Sequence, residues 1–182
     1  AALAADPAPT GNPLNHGDDV TRPRNQLRLQ QQYSRLPEAG DRKPAKWTTT
    51  FRTDLQTEIG GGWRVYGRAD MPLVRSEEIT SSFNPQGHSR FGAGDLLTEI
   101  AIVFPQPVPR FGYALGARAV WPTAGLNETG KGKYQIGPVA AFRVDIPEIS
   151  SGTYLLPQAI YLNSVASRQQ NASRTDINQL LF

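Results

Sequence analysis

The chain contains no cysteine, which excludes a disulfide framework, a zinc–thiolate site and a cysteine nucleophile. It also lacks any run of about 18–20 apolar residues, the length that a membrane-spanning helix needs. Only 38% of its residues are hydrophobic and its mean hydropathy is −0.43. A helical membrane protein is therefore excluded.

Histidine is scarce as well, with His16 and His88 as its two occurrences. They lie in dissimilar contexts, a Pro/Gly-rich leader and a polar loop, so we expect no metal site and no cofactor. A lipid-cleaving barrel enzyme would need a serine beside a histidine, and a loop histidine is a poor general base. We therefore predict that the protein is not an enzyme.

Basic charge is spread along the chain. The formal net charge is +3, but basic and acidic residues alternate and form no stripe. A nucleic-acid-binding protein usually concentrates its positive charge, so we expect no nucleic-acid partner. The segment 130–133, Gly-Lys-Gly-Lys, lacks the spacing of a phosphate-binding loop and indicates a turn into a strand.

What the sequence does contain is alternation with period two. Positions 46 to 59 place Trp47, Phe51, Leu55 and Ile59 on one side and Arg52, Asp54, Gln56 and Glu58 on the other. This segment is long, because an ordinary soluble strand has about 5–6 residues and a tilted strand crosses a bilayer in about 9–11.

The same alternation recurs along the chain and predicts eight strands. They cover 25–36, 46–59, 63–74, 94–104, 110–121, 133–146, 153–164 and a last strand from about 174 onward. The seventh has an ambiguous face, because Leu155 and Leu156 fall on opposite sides. Links after the odd-numbered strands are long and the others are short, as in outer-membrane barrels. We predict an all-β fold, an antiparallel up-and-down transmembrane β-barrel.

Aromatic residues near strand ends support the membrane interpretation, because rings collect at the two interfaces of a membrane barrel. The predicted aromatic girdle consists of Trp47, Trp63, Phe104, Phe111, Trp121, Tyr134 and Tyr154. Alternation alone leaves a second possibility open: a soluble lipocalin-like binding barrel turns its apolar face inward.

In the membrane orientation the charged residues face the lumen. The predicted lining is Arg52, Asp54, Arg64, Arg68, Asp70, Asp95, Glu99, Arg118, Arg143 and Asp145. Such charges select what a pore admits. Alternatively, they form an ion-pair network that fills a narrow barrel, since interior side chains fill barrels of about eight strands.

The amino-terminal end carries a different composition. Ala2-Leu3-Ala4 fits the small-x-small rule of a signal-peptide cleavage site, so residues 1–4 are predicted to be the remnant of a signal peptide. Residues 5–23 are rich in Pro, Gly, Asn and Asp and are predicted to be a flexible periplasmic leader. The barrel domain is assigned to 24–182.

Several motifs in this order resemble a known family. They are Pro23-Arg24-Asn25-Gln26-Leu27, Arg68-Ala69-Asp70-Met71-Pro72-Leu73, Phe91-Gly92-Ala93-Gly94-Asp95-Leu96-Leu97, Trp121-Pro122-Thr123-Ala124, the segment 130–138 and Asn178-Gln179-Leu180-Leu181-Phe182. The chain resembles a family of Gram-negative outer-membrane barrels that are labelled as transporters or linked by name to meta-pathway phenol degradation.

The resemblance implies a barrel of the bacterial outer membrane that moves small molecules, aromatic or otherwise hydrophobic ones among them. Its expected partners are outer-membrane lipid, a small-molecule solute and the outer-membrane assembly machinery. Members of the family usually continue past the position of Phe182, so we expect the barrel to be incomplete at this end. The alternative function is a non-transporting barrel with a structural role, or one that binds partners through the loops 75–92 and 122–132.

Overall fold

The computed structural model describes residues 19–37, 42–79, 84–106, 108, 110–150, 153–167 and 178–181, and every regular element there is a β-strand. The strands are β1 (Gln26–Arg35), β2 (Ala45–Gly60), β3 (Trp63–Ser76), β4 (Arg90–Ala93), β5 (Leu96–Val103), β6 (Phe111–Trp121), β7 (Lys133–Asp145), β8 (Tyr154–Leu155), β9 (Gln158–Ser167) and β10 (Asn178–Leu181). No described segment forms a helix long and apolar enough to cross a membrane.

All strands belong to one antiparallel sheet. Its order is β1-β2-β3-β5-β6-β7-β9-β10, with β4 on β3 and β8 on β7. Each strand on this path pairs with its neighbour along the chain, which is an up-and-down meander. The prediction of an all-β antiparallel fold is confirmed.

The described residues form ten strands where eight were predicted. The predicted strand 153–164 is split into β8 and β9, and β4 lies mostly within the segment predicted as the loop 75–92. β4 and β5 both pair with β3, and the gap between them lies near Pro72. Proline has no N–H for the ladder. The chain keeps one bond there, from the Gly94 N–H to the Pro72 carbonyl (2.8 Å). β8 and β9 both pair with β7 and are separated by Leu156 and Pro157.

The turn between β2 and β3 is built by three glycines. Gly60, Gly61 and Gly62 have φ angles of 103°, 60° and 81°. Residues that carry a Cβ rarely adopt such positive φ angles. The short link predicted between the strands 46–59 and 63–74 is confirmed. Together with the links 104–110 and 146–153, this turn marks what we call the short-turn end of the sheet. The links 36–44, 77–89 and 122–132 mark the long-loop end.

The two faces of the sheet have opposite character, and the polar face is the buried one. We call it the charged face; Asp54 on it is 0% exposed and Glu99 is 4% exposed. The other, the apolar face, carries Leu27, Leu55 and Ile100, which are 83%, 60% and 58% exposed. Because residues of β2 and β10 line one cavity, the sheet must curve strongly toward its charged face.

The segment before β1 departs from the predicted leader at its end. Asp19, Val20 and Thr21 are buried, and Val20 packs with Tyr66 and small residues of β5, β6 and β7 at the short-turn end. We call residues 19–22 the N-terminal segment. Residues 1–18, with the predicted signal-peptide remnant, lie outside the described residues.

Candidate functional site

A row of alternating charge crosses four strands on the charged face. Asp54 of β2 lies opposite Arg68 of β3, which lies opposite Glu99 of β5, which lies opposite Arg118 of β6. Period-two alternation puts each side chain on this face, and the strand register brings them level. Opposite charges directly across a sheet attract, so this register stabilises the sheet. We call these four residues the charge ladder.

Asp54 of the charge ladder accepts three side-chain hydrogen bonds. Its Oδ1 accepts from the Tyr66 hydroxyl at 2.5 Å and from Arg68 Nε at 2.8 Å. Its Oδ2 accepts from Gln26 Nε2 at 2.6 Å, which links β1 to the network. A buried carboxylate needs such partners, because burial without them costs several kcal/mol.

Glu99 and Arg118 form the other half of the ladder. Arg118 donates to Glu99 Oε2 from Nε at 2.7 Å and from its terminal nitrogen at 2.5 Å. The Glu99 side chain is 0% exposed, and its Oε1 has no hydrogen-bond partner among the described residues.

A second row lies one step nearer the long-loop end. Arg52 holds Asp70 through two parallel bonds of 2.7 Å, the planar fork that guanidinium and carboxylate groups form together. Arg28 of β1 lies opposite Arg52.

The N-terminal segment forms a third charged cluster, at the short-turn end. Arg143 pairs with Asp19 and also donates from Nε to Asp145 at 2.7 Å. Arg22 reaches the other oxygen of Asp145 at 2.5 Å. These ion pairs hold the N-terminal segment against the charged face at the short-turn end.

The predicted lumen residues therefore divide into groups. The charge ladder and the Arg52–Asp70 pair lie on adjacent levels of the charged face, and Arg143 and Asp145 hold the N-terminal segment. Arg64 lies on the same face, opposite Glu58 and Val103, without an ion pair among the described residues. Four residues of these networks, Tyr66, Gln26, Asp19 and Arg22, were not among the predicted lining residues. Period-two alternation along the strands places Tyr66 and Gln26 on the charged face. The sequence contains no pattern that would identify Asp19 and Arg22 as ion-pair partners of β7.

Asp95 has a structural role in the loop 122–132. Its Oδ2 accepts the backbone N–H groups of Lys131 (2.6 Å) and Gly132 (3.4 Å), and its Oδ1 accepts that of Ala124 (3.2 Å). A Cβ at Gly130 would lie 2.5 Å from Asp95 Oδ1, so the loop closes around this carboxylate only with glycine there.

The charged face also has an apolar side, which the sequence analysis did not predict. Val139, Ile160 and Leu162 form a buried cluster with Val120 packed against it. The charge ladder thus occupies β2, β3, β5 and β6, while the middle of β7 and β9 presents aliphatic side chains and the charges of β7 lie near its two ends, at Lys133 and at Arg143 and Asp145. The interior of the curved sheet is amphipathic.

A cavity of about 740 Å³ lies between these two sides, toward the long-loop end. Strands from β2 to β10 line it, and residues 127–131 of the loop 122–132 form part of its wall. Pockets of about 300–1,000 Å³ hold ligands of drug size. The geometry therefore provides room for a small molecule beside the charge ladder.

The aromatic residues form clusters near both ends of the apolar face. Tyr33 packs on Trp47 (5.4 Å between ring centroids) and Trp121 on Tyr134 (6.4 Å) at the long-loop end. At the short-turn end Trp63 packs on Phe104 at 4.9 Å.

Two further aromatic residues of the predicted girdle lie at the short-turn end. Phe111 stacks on Phe142 at 5.9 Å. Tyr154 lies elsewhere than predicted: it pairs with Asp145, and the Arg143 guanidinium covers its ring at 4.0 Å. Tyr154 therefore belongs to the charged face rather than to the girdle.

Glu148 lies in the turn after β7, and its hydrogen-bond partners shift its pKa. A hydrogen bond with its own backbone, and then the Arg110 guanidinium at 2.7 Å, hold the pKa of Glu148 below its usual range. Both side chains are more than half exposed, so this pair contributes little to stability.

Comparison of the chain with protein-family models, with characterised proteins and with solved structures finds no match.

Proposed function

We propose that this chain forms the wall of a β-barrel in the outer membrane of a Gram-negative bacterium and lets small molecules pass through its interior. The observation that carries the proposal is the inverted distribution of polarity. Side chains such as Asp54, Arg68 and Glu99 are buried on one face, while large aliphatic residues are exposed on the other. A membrane barrel has this arrangement, because lipid solvates its outer face and the polar lumen lies inside.

Strand length and aromatic placement support the same proposal. β2 and β3 contain 16 and 14 residues, more than the 9–11 or so that cross a bilayer. Trp47 and Trp121 lie near one end of the apolar face and Trp63 near the other. Rings at two levels fit the two interfaces of a bilayer. The resemblance to transport-associated barrels, stated above on its motifs, agrees with this proposal.

A test of the proposal is solute flux across proteoliposomes that contain the protein refolded in detergent. We expect small neutral solutes to leave faster than from empty liposomes, because the cavity continues the interior of the curved sheet. Heat-modifiable gel migration measured in parallel reports whether the chain forms a compact barrel. A compact, heat-modifiable protein with no flux above that of empty liposomes would reject passage.

A second candidate function is a structural barrel with a filled interior. Two observations favour it: the charge ladder bridges four strands, and the N-terminal segment covers the charged face at the short-turn end. In that case the flux assay gives no signal, and a loop such as 122–132 carries the binding role. Deletion of that loop would then abolish partner binding while the compact gel band remains.

A further inference from the structure

The cavity of about 740 Å³ beside the charge ladder has a chemistry that the passage of solutes alone does not require. Its lining combines charged groups, hydrogen-bonding side chains and an extended aliphatic wall. Each of these three components constrains what could bind there.

The charged groups of the lining cancel. Three cationic and three anionic side chains border the cavity: Lys46, Arg118, Lys131, Glu78, Asp95 and Glu128. Two of them have short contacts elsewhere, since Arg118 holds Glu99, and Asp95 accepts backbone N–H groups of the loop 122–132. Glu128 is buried and lies 3.9 Å from Arg90. Because charges of both signs border the cavity in equal number, an ionic ligand would lose its hydration and meet like charges as well as opposite ones.

The aliphatic part of the lining is extensive. It is formed by Pro72, Val74, Leu97, Val120, Leu162 and Leu181, which come from five different strands. An apolar ligand surface gains about 25 cal/mol for each Å² that it buries against such side chains. The wall thus favours a ligand with a hydrophobic body.

Uncharged polar side chains supply the remaining lining. Thr48, Gln135 and Gln179 of the strands and Asn127 and Thr129 of the loop 122–132 border the cavity, and Gln135 is buried. Hydroxyl and amide groups both donate and accept hydrogen bonds. They suit a hydroxyl, carbonyl or amide group on a ligand without requiring charge.

We propose that this cavity is a binding site for a small neutral amphipathic molecule. The ligand has a hydrophobic body against the aliphatic wall and one or two uncharged polar groups toward Thr48, Gln135 and Gln179. This proposal rests on the proposed function in one respect, because it takes the charged face as the interior of the barrel. It adds the chemical class of the molecule that the interior holds.

Photoaffinity labelling tests the site directly. Three probes share one diazirine-bearing medium-length alkyl chain and end in an alcohol, a carboxylate or an amine. Each is added to the detergent-refolded protein, and adducts are mapped by mass spectrometry. We expect the alcohol to label the peptides that contain Leu97, Val120 and Leu162, about tenfold more than either ionic probe, because burial of an uncompensated charge is costly.

A matched pair of variants separates the cavity from the apolar face. Val120 and Ala119 are neighbours on β6 whose side chains lie on opposite faces. Val120→Trp fills the cavity and should remove the labelling, whereas Ala119→Trp should leave it unchanged. If Val120→Trp does not give a compact gel band, Leu162→Phe replaces it.

The outcomes are distinct from those of the flux assay. Labelling confined to the apolar face, equal labelling by the three probes, or stronger labelling by an ionic probe overturns the neutral-ligand site. Cavity labelling without solute flux supports the site and rejects passage as the function. Solute flux without cavity labelling supports passage and rejects the binding site.

Discussion

At the scale of single residues, charged side chains that are usually exposed are buried here, and they bond to each other. Asp54 and Arg68 expose 1% and 7% of their side chains, and each would be unstable at such burial without the other. The alternation of polar and apolar residues along the strands was sufficient to assign both side chains to one face. It could not show that Tyr66 and Gln26 supply the remaining hydrogen bonds, because those contacts depend on strand register.

Replacement of Asp54 by alanine is expected to destabilise the protein strongly. It removes the carboxylate that accepts from Arg68 Nε at 2.8 Å in the buried interior, and breaking a buried ion pair in this way costs about 3–5 kcal/mol. Urea unfolding of the refolded protein, followed by tryptophan fluorescence, measures the change. Glu148→Ala is the control, and its exposed pair with Arg110 should leave the unfolding midpoint unchanged. Equal effects of the two variants would contradict the network.

At the scale of elements, the positions where strand pairing is interrupted depend on the neighbouring strand. The stretch 94–104 was predicted as one strand, and the structure begins β5 at Leu96 after a gap near Pro72. The sequence contains Pro72, but which strand lies beside it follows only from the sheet order. The loop 122–132 was predicted from its turn-forming residues, whereas its anchorage on Asp95 required a contact between distant residues.

Asp95→Ala is expected to loosen the loop 122–132 without unfolding the sheet. The carboxylate accepts backbone N–H groups of Ala124, Lys131 and Gly132, and these amides lose their partner. Hydrogen exchange should accelerate at those amides and stay unchanged in β2 and β3. Lys131→Ala keeps the backbone contacts and serves as the control. Unchanged exchange in the loop of Asp95→Ala would exclude the anchoring role.

At the scale of the whole molecule, the question is which solvent meets the apolar face. A soluble barrel would bury residues such as Leu55 and Ile100, yet they are more than half exposed. The described chain instead buries its charges. This global inversion supports the proposal of a lipid-facing surface over the lipocalin-like alternative.

Fluorescence quenching in bilayers checks this orientation. The three tryptophans lie near strand ends on the apolar face, so we expect bromine near the lipid headgroups to quench them more than bromine near the chain ends. A protein that remains monomeric in plain buffer and shows no quenching by either lipid would instead support the soluble barrel.

The N-terminal segment is expected to restrict passage at the short-turn end. The double variant Asp19→Ala/Arg22→Ala removes its ion pairs with Arg143 and Asp145. We expect solute flux and single-channel conductance to increase, because the segment no longer stays against the charged face. Glu148→Ala, at the same end, should have no effect. Unchanged conductance in the double variant would show that the segment does not limit passage.

The sequence by itself determined the strand class, the positions of the strands other than β4 to within a few residues, and the face on which charges such as Asp54, Arg68 and Glu99 lie. These features depend on period-two alternation and turn chemistry, both of which are local. The tertiary structure decided the rest: the level at which Asp54, Arg68, Glu99 and Arg118 meet, the place of the N-terminal segment, the aliphatic side of the interior and the cavity. Each depends on register and curvature, which arise only when strands far apart in the sequence pair.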